Sequence, residues 1–259
     1  GAPACFLTGG TLGPADLCRQ LADAGLGELP VTVGESLSYP DEHIRQGSAG
    51  EFARQSFAPL SLLLAEPAPT LPRRTPGIPD GAFLRGDVPM TKQEVRAAAL
   101  AKLSVGPEDV CWDIGTGTGS VGVELALQSR SVWAVERSPE ALALARSNRE
   151  RFCAWNLRLL EGRAPDILSS LPPPDAVFIG GSGGALTQIL EAVHRANPAA
   201  RVCISAIALE TLHAALDGLA ALGYETEAAQ IAVSRARPAG ALHLLTAQNP
   251  VFLITGVRP

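Results

Sequence analysis

Residues 110–120 read Val-Cys-Trp-Asp-Ile-Gly-Thr-Gly-Thr-Gly-Ser, an apolar strand pattern that leads directly into three glycines at alternate positions. Glycines at such a junction let the backbone turn tightly and approach a ligand closely, beside the N-terminus of the following helix. The dinucleotide-binding pattern G-x-G-x-x-G would need glycine at position 120, where this chain has serine. The spacing is instead G-x-G-x-G, and an acid, Asp113, precedes it in the strand. The stretch therefore predicts a buried strand, a ligand-binding turn and a helix.

Helical and strand patterns alternate on both sides of this turn. Further strands are predicted at residues 131–135, 157–160, 175–179 and 201–205, and helices at 91–103, 120–128, 139–152, 185–196 and 209–222. The helix at 91–103 starts with Thr91-Lys92-Gln93-Glu94, which matches the S/T-x-x-E capping box. The last two predicted strands, 225–233 and 251–255, have no helix of clear periodicity between them. This order predicts an α/β fold with a parallel sheet and an antiparallel edge.

Prolines cluster between residues 66 and 80, and the pattern differs on the two sides of the cluster. Proline lacks an amide donor and restricts the residue before it, so such a stretch is extended and irregular. We therefore predict a linker at residues 67–80 between a first domain, residues 1–66, and a second domain, residues 81–259. The patterns of the first domain predict a helix at 14–24, a turn at 36–42 and strands from residue 4, at 31–33 and at 59–65. A domain of this size is at the lower margin for a self-sufficient core.

The composition excludes several classes of protein. A net charge of -5 over 259 residues provides no basic field for nucleic acid. The longest apolar runs fall far short of the ~20 residues that a membrane span needs. The five cysteines and four histidines are dispersed, without the spacing of a disulfide framework or a metal site. The sequence therefore predicts no nucleic-acid, membrane or metal partner, and a reducing cytoplasm as the location.

The G-x-G-x-G turn with an acid in the preceding strand resembles the same segment of class I S-adenosylmethionine (SAM) methyltransferases. Glu136 lies about 20 positions beyond Gly115, at the end of the second predicted strand, where a carboxylate can accept hydrogen bonds from both ribose hydroxyls. The alternative is that Glu136 pairs with Arg137 or with another surface arginine. We favour ribose binding, because the carboxylate stands at a strand end after the glycine turn. The two features together predict an adenosine-containing ligand.

Two more loops follow predicted strands of the sheet. In class I methyltransferases the loop after the third strand flanks adenine, which implies a contact from Ala164; the alternative is an ordinary loop in which Pro165 starts a helix. After the fourth strand, residues 180–184 are Gly-Gly-Ser-Gly-Gly, without the proline and aromatic residue that amino-group methyltransferases carry there. This loop disfavours nucleobase or glutamine substrates and predicts a wide floor for a bulky, flat substrate. The alternative is a flexible loop with Ser182 as a turn former.

Several segments in combination resemble the carbon-15 methyltransferases of cobalamin (vitamin B12) biosynthesis over residues 77–258. The segments are residues 77–80, 88–96, 113–120, 180–184 and 249–251. Residues 7–10, 34–42 and 59–61 resemble the C-terminal half of the carbon-5 methyltransferases of the same pathway, which have the tetrapyrrole methylase fold. Fusion of the two units is typical of the precorrin-6Y C(5,15)-methyltransferase (decarboxylating) family. The resemblance implies a Rossmann-like class I methyltransferase fold with a seven-stranded sheet, preceded by a partial tetrapyrrole methylase domain. Since the N-terminal half of the carbon-5 unit is not in this chain, we expect no methylation of carbon 5.

The resemblance implies SAM as the cofactor and a precorrin macrocycle as the substrate. Contacts with SAM are implied for Thr91, Asp113, Gly115, Thr116, Gly117, Thr118, Gly119, Glu136 and Ala164. Candidates for substrate binding are Gly181, Ser182 and Gly183 in the glycine-rich floor, and Arg85, Lys92, Arg96, Arg235 and Arg237 as partners of the substrate carboxylates. The alternatives are a purely structural role of Thr91 as helix N-cap and ordinary surface charge for each basic residue.

The implied reaction is methylation of carbon 15 with loss of the ring-C acetate carboxyl group as CO2. The meso carbon of the reduced macrocycle is enamine-like and nucleophilic, so alignment rather than a strong base supplies most of the catalysis. No catalytic side chain is therefore assigned. The family also implies a homotetramer. Two other functions stay open from the residues alone: a class I methyltransferase that acts on protein or RNA, and a SAM-binding module without turnover.

Overall fold

The computed structural model describes residues 3–9, 12–68 and 76–258. The chain divides into two compact units, Gly1–Leu71 and Pro72–Pro259. The division lies within the proline-rich stretch, and residues 69–75 of the predicted linker lie outside the described residues. The two units are described separately below.

The first unit is a small antiparallel sheet with two short helices. Its elements are β1 (Ala4–Thr8), α1 (Pro14–Leu21), β2 (Pro30–Glu35), β3 (His43–Ser48), α2 (Ala49–Phe52) and β4 (Ser61–Ala65). The strands pair in the order β1-β4-β2-β3. Cys18, Val33 and Leu63 are fully buried in its core. The strands near residues 4, 31 and 59 are thus present, with β4 starting at Ser61.

Two features of the first unit differ from the sequence prediction. The α-helix ends at Leu21 and continues as a π-helical turn through Leu26, because Gly25 adopts a left-handed φ of 89°. Strand β3 and helix α2 were not predicted. β3 reads His-Ile-Arg-Gln-Gly-Ser and lies at the exposed edge of the sheet, so it has no apolar alternation from which a strand can be inferred.

The second unit alternates strands and helices. Its elements are α3 (Gln93–Leu103), β5 (Val110–Ile114), α4 (Ser120–Ala126), β6 (Ser131–Glu136), α5 (Pro139–Arg151), β7 (Leu157–Glu161), β8 (Ala176–Ile179), α6 (Leu186–Ala196), β9 (Arg201–Ala206), α7 (Leu209–Ala221), β10 (Glu225–Ile231), β11 (Ser234–Ala239), β12 (Leu242–Ala247) and β13 (Val251–Val257). Seven strands form a sheet in the order β10-β13-β9-β8-β5-β6-β7. β10 and β13 run antiparallel to their neighbours, and the other five strands are parallel. The predicted α/β fold with an antiparallel edge is confirmed.

The topology places a crevice at the carboxyl end of β5. This strand comes first in the sheet's sequence order but lies in the middle, between β6 and β8, so the chain leaves it in opposite directions. In open α/β sheets such a switch point is where ligands bind. Trp112, Ile114, Val177 and Ile179 of the central strands are buried, which makes the strands a rigid base for the loops that follow them.

One prediction on the second unit is corrected and one is extended. Thr91 does not cap α3: the helix begins at Gln93 with Lys92 in the N-cap position, without a side-chain cap. The connection between β10 and β13, where no helix is predicted, forms the hairpin β11–β12, whose strands were not predicted. Most residues of this hairpin are exposed on both faces, so the sequence lacks the apolar alternation that signals a strand.

The cysteines are all free thiols. Burial raises the pKa of the Cys111 and Cys203 thiols to about 12, so both are neutral and act as small apolar side chains. Among the described residues, no group of three or more His, Cys, Asp or Glu side chains could hold a metal ion. No helix in the same part of the chain has both the length and the apolar character to cross a membrane.

Candidate active site

A cavity of about 850 Å³ opens at the carboxyl ends of the central strands. Its volume lies in the range of small-molecule and cofactor sites. The lining consists of residues 88–92, 115–117, 135–138, 162–164 and 180–183, together with residues 95, 114, 141, 205, 207, 231, 233, 237, 248, 249 and 251. The carboxyl ends of all five parallel strands, the segment before α3 and the base of the β11–β12 hairpin therefore meet around one site.

The glycine turn is shaped by close backbone approach. Gly115 and Gly117 line the cavity with φ values of 71° and 55°. A Cβ atom on Gly115 would lie 2.5 Å from the carbonyl oxygen of Gly181, so only glycine lets the two loops touch. Gly181, Ser182 and Gly183 line the cavity on this side, where the sequence predicts the floor. Glycine is therefore needed at 115 for both its conformation and its packing.

Two residues of the predicted turn lie behind the cavity wall. Thr118 is buried, and its carbonyl accepts a hydrogen bond from Asn148 Nδ2 at 2.8 Å. Gly119 precedes α4, and a Cβ atom there would lie 3.0 Å from the Ala145 side chain. Neither residue lines the cavity, because the chain has already turned toward α5. The structure thus gives both residues a role in packing the turn, and their contact with SAM stays a prediction.

Asp113 is the next-to-last residue of β5 and does not line the cavity. Its side chain is fully buried, Oδ2 accepts a hydrogen bond from Thr116 Oγ1, and Oδ1 has no partner within the described residues. Burial raises the pKa of this carboxyl to about 7, although hydrogen bonds from Thr116 and the Gly122 backbone act in the opposite direction. Asp113 supports the turn from inside, because Thr116 lies on the cavity wall and donates a hydrogen bond to one of its oxygens. The predicted contact of Asp113 with SAM stays a prediction.

The raised pKa of Asp113 predicts a pH-dependent stability. Its pKa rises from 3.8 to about 7 on folding, so between these values the folded state binds more protons than the unfolded chain. The contribution of this group to the free energy of unfolding is complete below 3.8 and is lost as the pH rises through about 7. Asp113→Asn should remove this slope from urea unfolding curves measured across the range. Asp87→Asn at an exposed carboxyl should keep it, and an unchanged slope in Asp113→Asn would contradict the assignment.

Glu136 ends β6 on the cavity wall, and backbone amides hold it. Its Oε2 accepts a hydrogen bond from the N–H of Gly117 at 3.0 Å, and Oε1 accepts from the N–H groups of Arg137 at 2.9 Å and Ser138 at 3.0 Å. No ion pair within the described ranges includes Glu136, so the alternative of a surface pair with Arg137 is not what the structure contains. A carboxylate has about four acceptor sites, and these three amides occupy all but one of them. The fixed carboxylate beside the glycine turn therefore keeps an acceptor for a ribose hydroxyl.

Thr91 and Ala164 both line the cavity. Thr91 precedes α3, and its carbonyl accepts a hydrogen bond from Arg96 Nη1. Ala164 lies in the loop after β7, where a turn leads into the short 3-10 helix Leu168–Ser170. Pro165 leads through a turn into this 3-10 helix and does not start an α-helix. The contact of Ala164 with adenine and the ordinary-loop alternative both stay predictions.

Basic side chains predominate among the charged residues of the cavity. Those on its wall are Lys92, Arg137, Arg163 and Arg237. None of these four belongs to an ion pair within the described residues, and Glu136 is the only acid on the wall. The excess positive charge favours an anionic ligand. The sequence analysis missed Arg137 and Arg163 as cavity residues; their signal is that each lies within two residues of a strand end that faces the site.

Three predicted substrate contacts lie away from the cavity. Arg85 is exposed on the segment before α3, and Arg235 pairs with Glu94. Arg96 is 0% exposed: it pairs with Glu124 and Asp80 and donates to the carbonyls of residues 78 and 91. The prediction for Arg96 is corrected, because protein acceptors enclose its guanidinium. Glu94 holds Arg235 and Arg85 is exposed, and the structure places neither on the cavity wall.

Comparisons with known proteins show which family the chain resembles. The family model described as "Precorrin methyltransferase domain" matches residues 82–258. The cobalt-precorrin-6B C(15)-methyltransferase (decarboxylating) of Salmonella typhimurium is 44% identical over 180 residues, which covers 68% of this chain and 93% of the relative. A "probable" enzyme of the same name from Pyrobaculum calidifontis is 42% identical over 191 residues, covering 72% of this chain and 98% of the relative.

A solved structure extends the similarity to three dimensions. The precorrin-6Y C5,15-methyltransferase of Geobacter metallireducens aligns with a TM-score of 0.68 and 38% identity, over 71% of this chain and 98% of that chain. The fold is that of the class I SAM-dependent methyltransferases, as the sequence analysis predicts. Fold, cavity and family model together show that the chain belongs to the precorrin methyltransferase family.

Proposed function

We propose that this chain transfers a methyl group from SAM to carbon 15 of a precorrin and removes the ring-C acetate carboxyl group as CO2, within cobalamin biosynthesis. The observation that carries the proposal is one cavity whose wall holds both a ribose-type carboxylate, Glu136, and cations that form no ion pair within the described residues. The relatives named above carry the same activity in their names.

The donor set fits SAM. We assign Glu136 to the ribose hydroxyls, the glycine turn at 115–117 to the amino acid portion and Ala164 to the adenine ring. Thr91 lines the same cavity and completes the set. When bound, SAM supplies an electrophilic methyl group on a sulfonium. The protein's part is to hold Glu136 rigid through three backbone amides and to keep the turn open through glycine.

Positioning accounts for the chemistry of the site. Lys92, Arg137, Arg163 and Arg237 can bind substrate carboxylates, and the side-chain-poor floor at 180–183 lets a flat macrocycle lie close to the cofactor. No His, Cys, Asp or Tyr stands on the described wall, so the side chains present suit a nucleophilic carbon that needs alignment. Such alignment contributes up to about 7–11 kcal/mol. After loss of CO2 the conjugated macrocycle takes up the electron pair, and desolvation of that carboxylate assists the step.

A single-turnover experiment tests the proposal. The purified chain is incubated with SAM and precorrin-7, the intermediate already methylated at carbon 5, and the product is read by mass. We expect a gain of one methyl group and a loss of CO2. SAM binding without a change in mass would favour a binding module, and methyl transfer to added protein or RNA would favour the other class I alternative.

Removal of the Glu136 charge should weaken SAM binding. Glu136→Gln places an amide NH2 group against backbone N–H donors and takes one charged acceptor from the ribose. Since a hydrogen bond to a charged group contributes about 1.5–3 kcal/mol, the Kd for SAM should rise about 10- to 100-fold in calorimetry. Glu161 pairs in register with Glu136 on β7 but lies off the cavity wall, so Glu161→Gln is the matched control. Equal affinities of the two variants would argue against ribose binding by Glu136.

The remaining parts of the proposal concern the whole chain. We propose that the first unit is the C-terminal part of a tetrapyrrole methylase domain that does not methylate carbon 5, and that the chain acts as a cytoplasmic homotetramer. The antiparallel sheet of the first unit and its separation from the second unit support the division of roles. Light scattering tests the tetramer. The mass experiment with a substrate that lacks the carbon-5 methyl group tests the first unit, since a gain of two methyl groups would contradict it.

A further inference from the structure

The hairpin β11–β12 extends from the sheet beside the cavity. Ile231 and Val233 before it and Gln248 and Asn249 after it line the cavity, and the N–H of Gln248 donates to the Val233 carbonyl at 2.9 Å, which closes its base. Beyond this base the two strands pair only with each other within the described sheets. The position of the hairpin therefore depends on whatever side chains tie it to the rest of the unit.

Arg235 on β11 makes side-chain contacts that connect the hairpin to the rest of the unit. Its Nη2 donates to both carboxylate oxygens of Glu94, at 2.7 and 2.8 Å, and lies 3.6 Å from Asp80 Oδ2. Asp80 in turn pairs with the buried Arg96, which also holds the carbonyl of the cavity residue Thr91. The hairpin is thus connected through charged groups to the rim of the cofactor site.

The same face of the hairpin carries groups that suit a macrocycle. Arg237 lies two residues after Arg235 on β11, so both side chains project from one face, and Arg237 lines the cavity. Leu244 and Leu242 pair directly with Arg237 and Ala239, so they lie on that face too, 58% and 67% exposed. A free guanidinium beside exposed leucines matches an apolar ring edged with carboxylates.

We propose that the Arg235–Glu94 pair is a latch that holds the β11–β12 hairpin over the cavity, so that Arg237 and Leu244 bind the carboxylate-bearing edge of the tetrapyrrole. Arg235 is a positioning residue, and Arg237 is the residue that contacts substrate. The substrate half of this inference rests on the proposed function, whereas the latch itself does not.

Hydrogen exchange of the ligand-free protein tests the latch independently of any activity. In Arg235→Gln and Glu94→Gln the amides of residues 234–247 should exchange about two- to fivefold faster, as expected for loss of a partly exposed ion pair. The matched control is Lys102→Gln, which removes another partly exposed pair, with Glu227 at 2.7 Å, away from the cavity. Unchanged exchange in both latch variants would overturn the latch. Arg235→Lys, which keeps a cation beside Glu94 and Asp80, should retain most of the slow exchange. A merely local packing defect would not be relieved by retaining the charge.

Binding measurements test whether the hairpin serves the substrate rather than SAM. With uroporphyrin as a stable tetrapyrrole polycarboxylate probe, Arg237→Gln and Arg235→Gln should each weaken binding about tenfold while the Kd for SAM stays unchanged. In turnover the same variants should raise the KM for precorrin and leave kcat nearly constant. Equal losses in SAM affinity would overturn the assignment to substrate. If no variant, nor the parent chain, methylates a precorrin while the exchange results hold, the proposed function fails and the latch stands.

Discussion

Gly115→Ala is expected to abolish measurable SAM binding and to destabilise the second unit by about 2–5 kcal/mol. The new Cβ would lie 2.5 Å from the carbonyl oxygen and 2.7 Å from the nitrogen of Gly181, and alanine would have to adopt a φ of 71°. Both contacts involve backbone atoms, so no side-chain rotation relieves them. The two loops would separate, and both line the same cavity. Calorimetry with SAM and urea unfolding measure the two effects.

Gly184→Ala is the matched control for this prediction. Gly184 also has a left-handed φ, 86°, but a Cβ atom there meets nothing within 4 Å. Its substitution should cost only the backbone strain, about 1–2 kcal/mol, and leave SAM affinity within about twofold. If Gly115→Ala behaves like Gly184→Ala, the contact between the two loops does not shape the cofactor site.

Arg96→Met is expected to destabilise the second unit by about 3–5 kcal/mol, which lowers its thermal midpoint by about 10 °C. Arg96 is fully enclosed, pairs with Glu124 and stacks on Phe83 with its guanidinium carbon 4.7 Å from the ring centre. Methionine fills part of the volume but leaves Glu124, itself 2% exposed, without its cation. The amides of residues 77 and 78 that also bind Glu124 compensate only in part.

Two further variants distinguish the effect of the lost Arg96 charge on stability from the effect of its lost volume. Lys102→Met removes a partly exposed cation from an ion pair and should cost about 0–1 kcal/mol. Arg96→Met with Glu124→Gln should recover part of the lost stability, because removing both buried charges is less costly than removing one. A double variant that is as unstable as the sum of its parts would show that Arg96 acts through volume and the carbonyls of residues 78 and 91 rather than through its pair with Glu124.

The sheet of the second unit could be predicted from local sequence patterns. Strands such as Val110–Ile114 are buried on both faces and therefore form continuous apolar runs, and the glycines after β5 mark the turn by their chemistry alone. The exposed elements were not readable in this way. β3 and the β11–β12 hairpin carry polar or mixed residues on both faces, so neither has a periodicity that separates strand from loop.

The predictions for the site differ in the same way: some follow from local pattern and sheet topology, and others depend on packing. Glu136 was predicted correctly to lie on the ligand cavity because its place at a strand end follows from sheet topology, which the alternation of elements already implies. Asp113 was placed in the same site by the motif, yet it is fully buried beneath the turn. Ile114 lines the cavity, whereas Asp113, one residue earlier on β5, lies in the interior. Only the packing of the loops determines which of the two residues faces the cavity.

The sequence by itself determined the fold class, the cofactor turn and the family, since these depend on short-range periodicity and on motif spacing. Only the tertiary structure decided what each basic residue does. Arg96, Arg235 and Arg237 are chemically identical, and each is close in the chain to a segment that lines the cavity. Arg96 is nevertheless buried in an ion-pair network, Arg235 latches a hairpin in our proposal, and Arg237 lines the cavity. The reason is physical: the role of a guanidinium depends on which acceptors surround it, and those acceptors come from segments up to 141 residues apart.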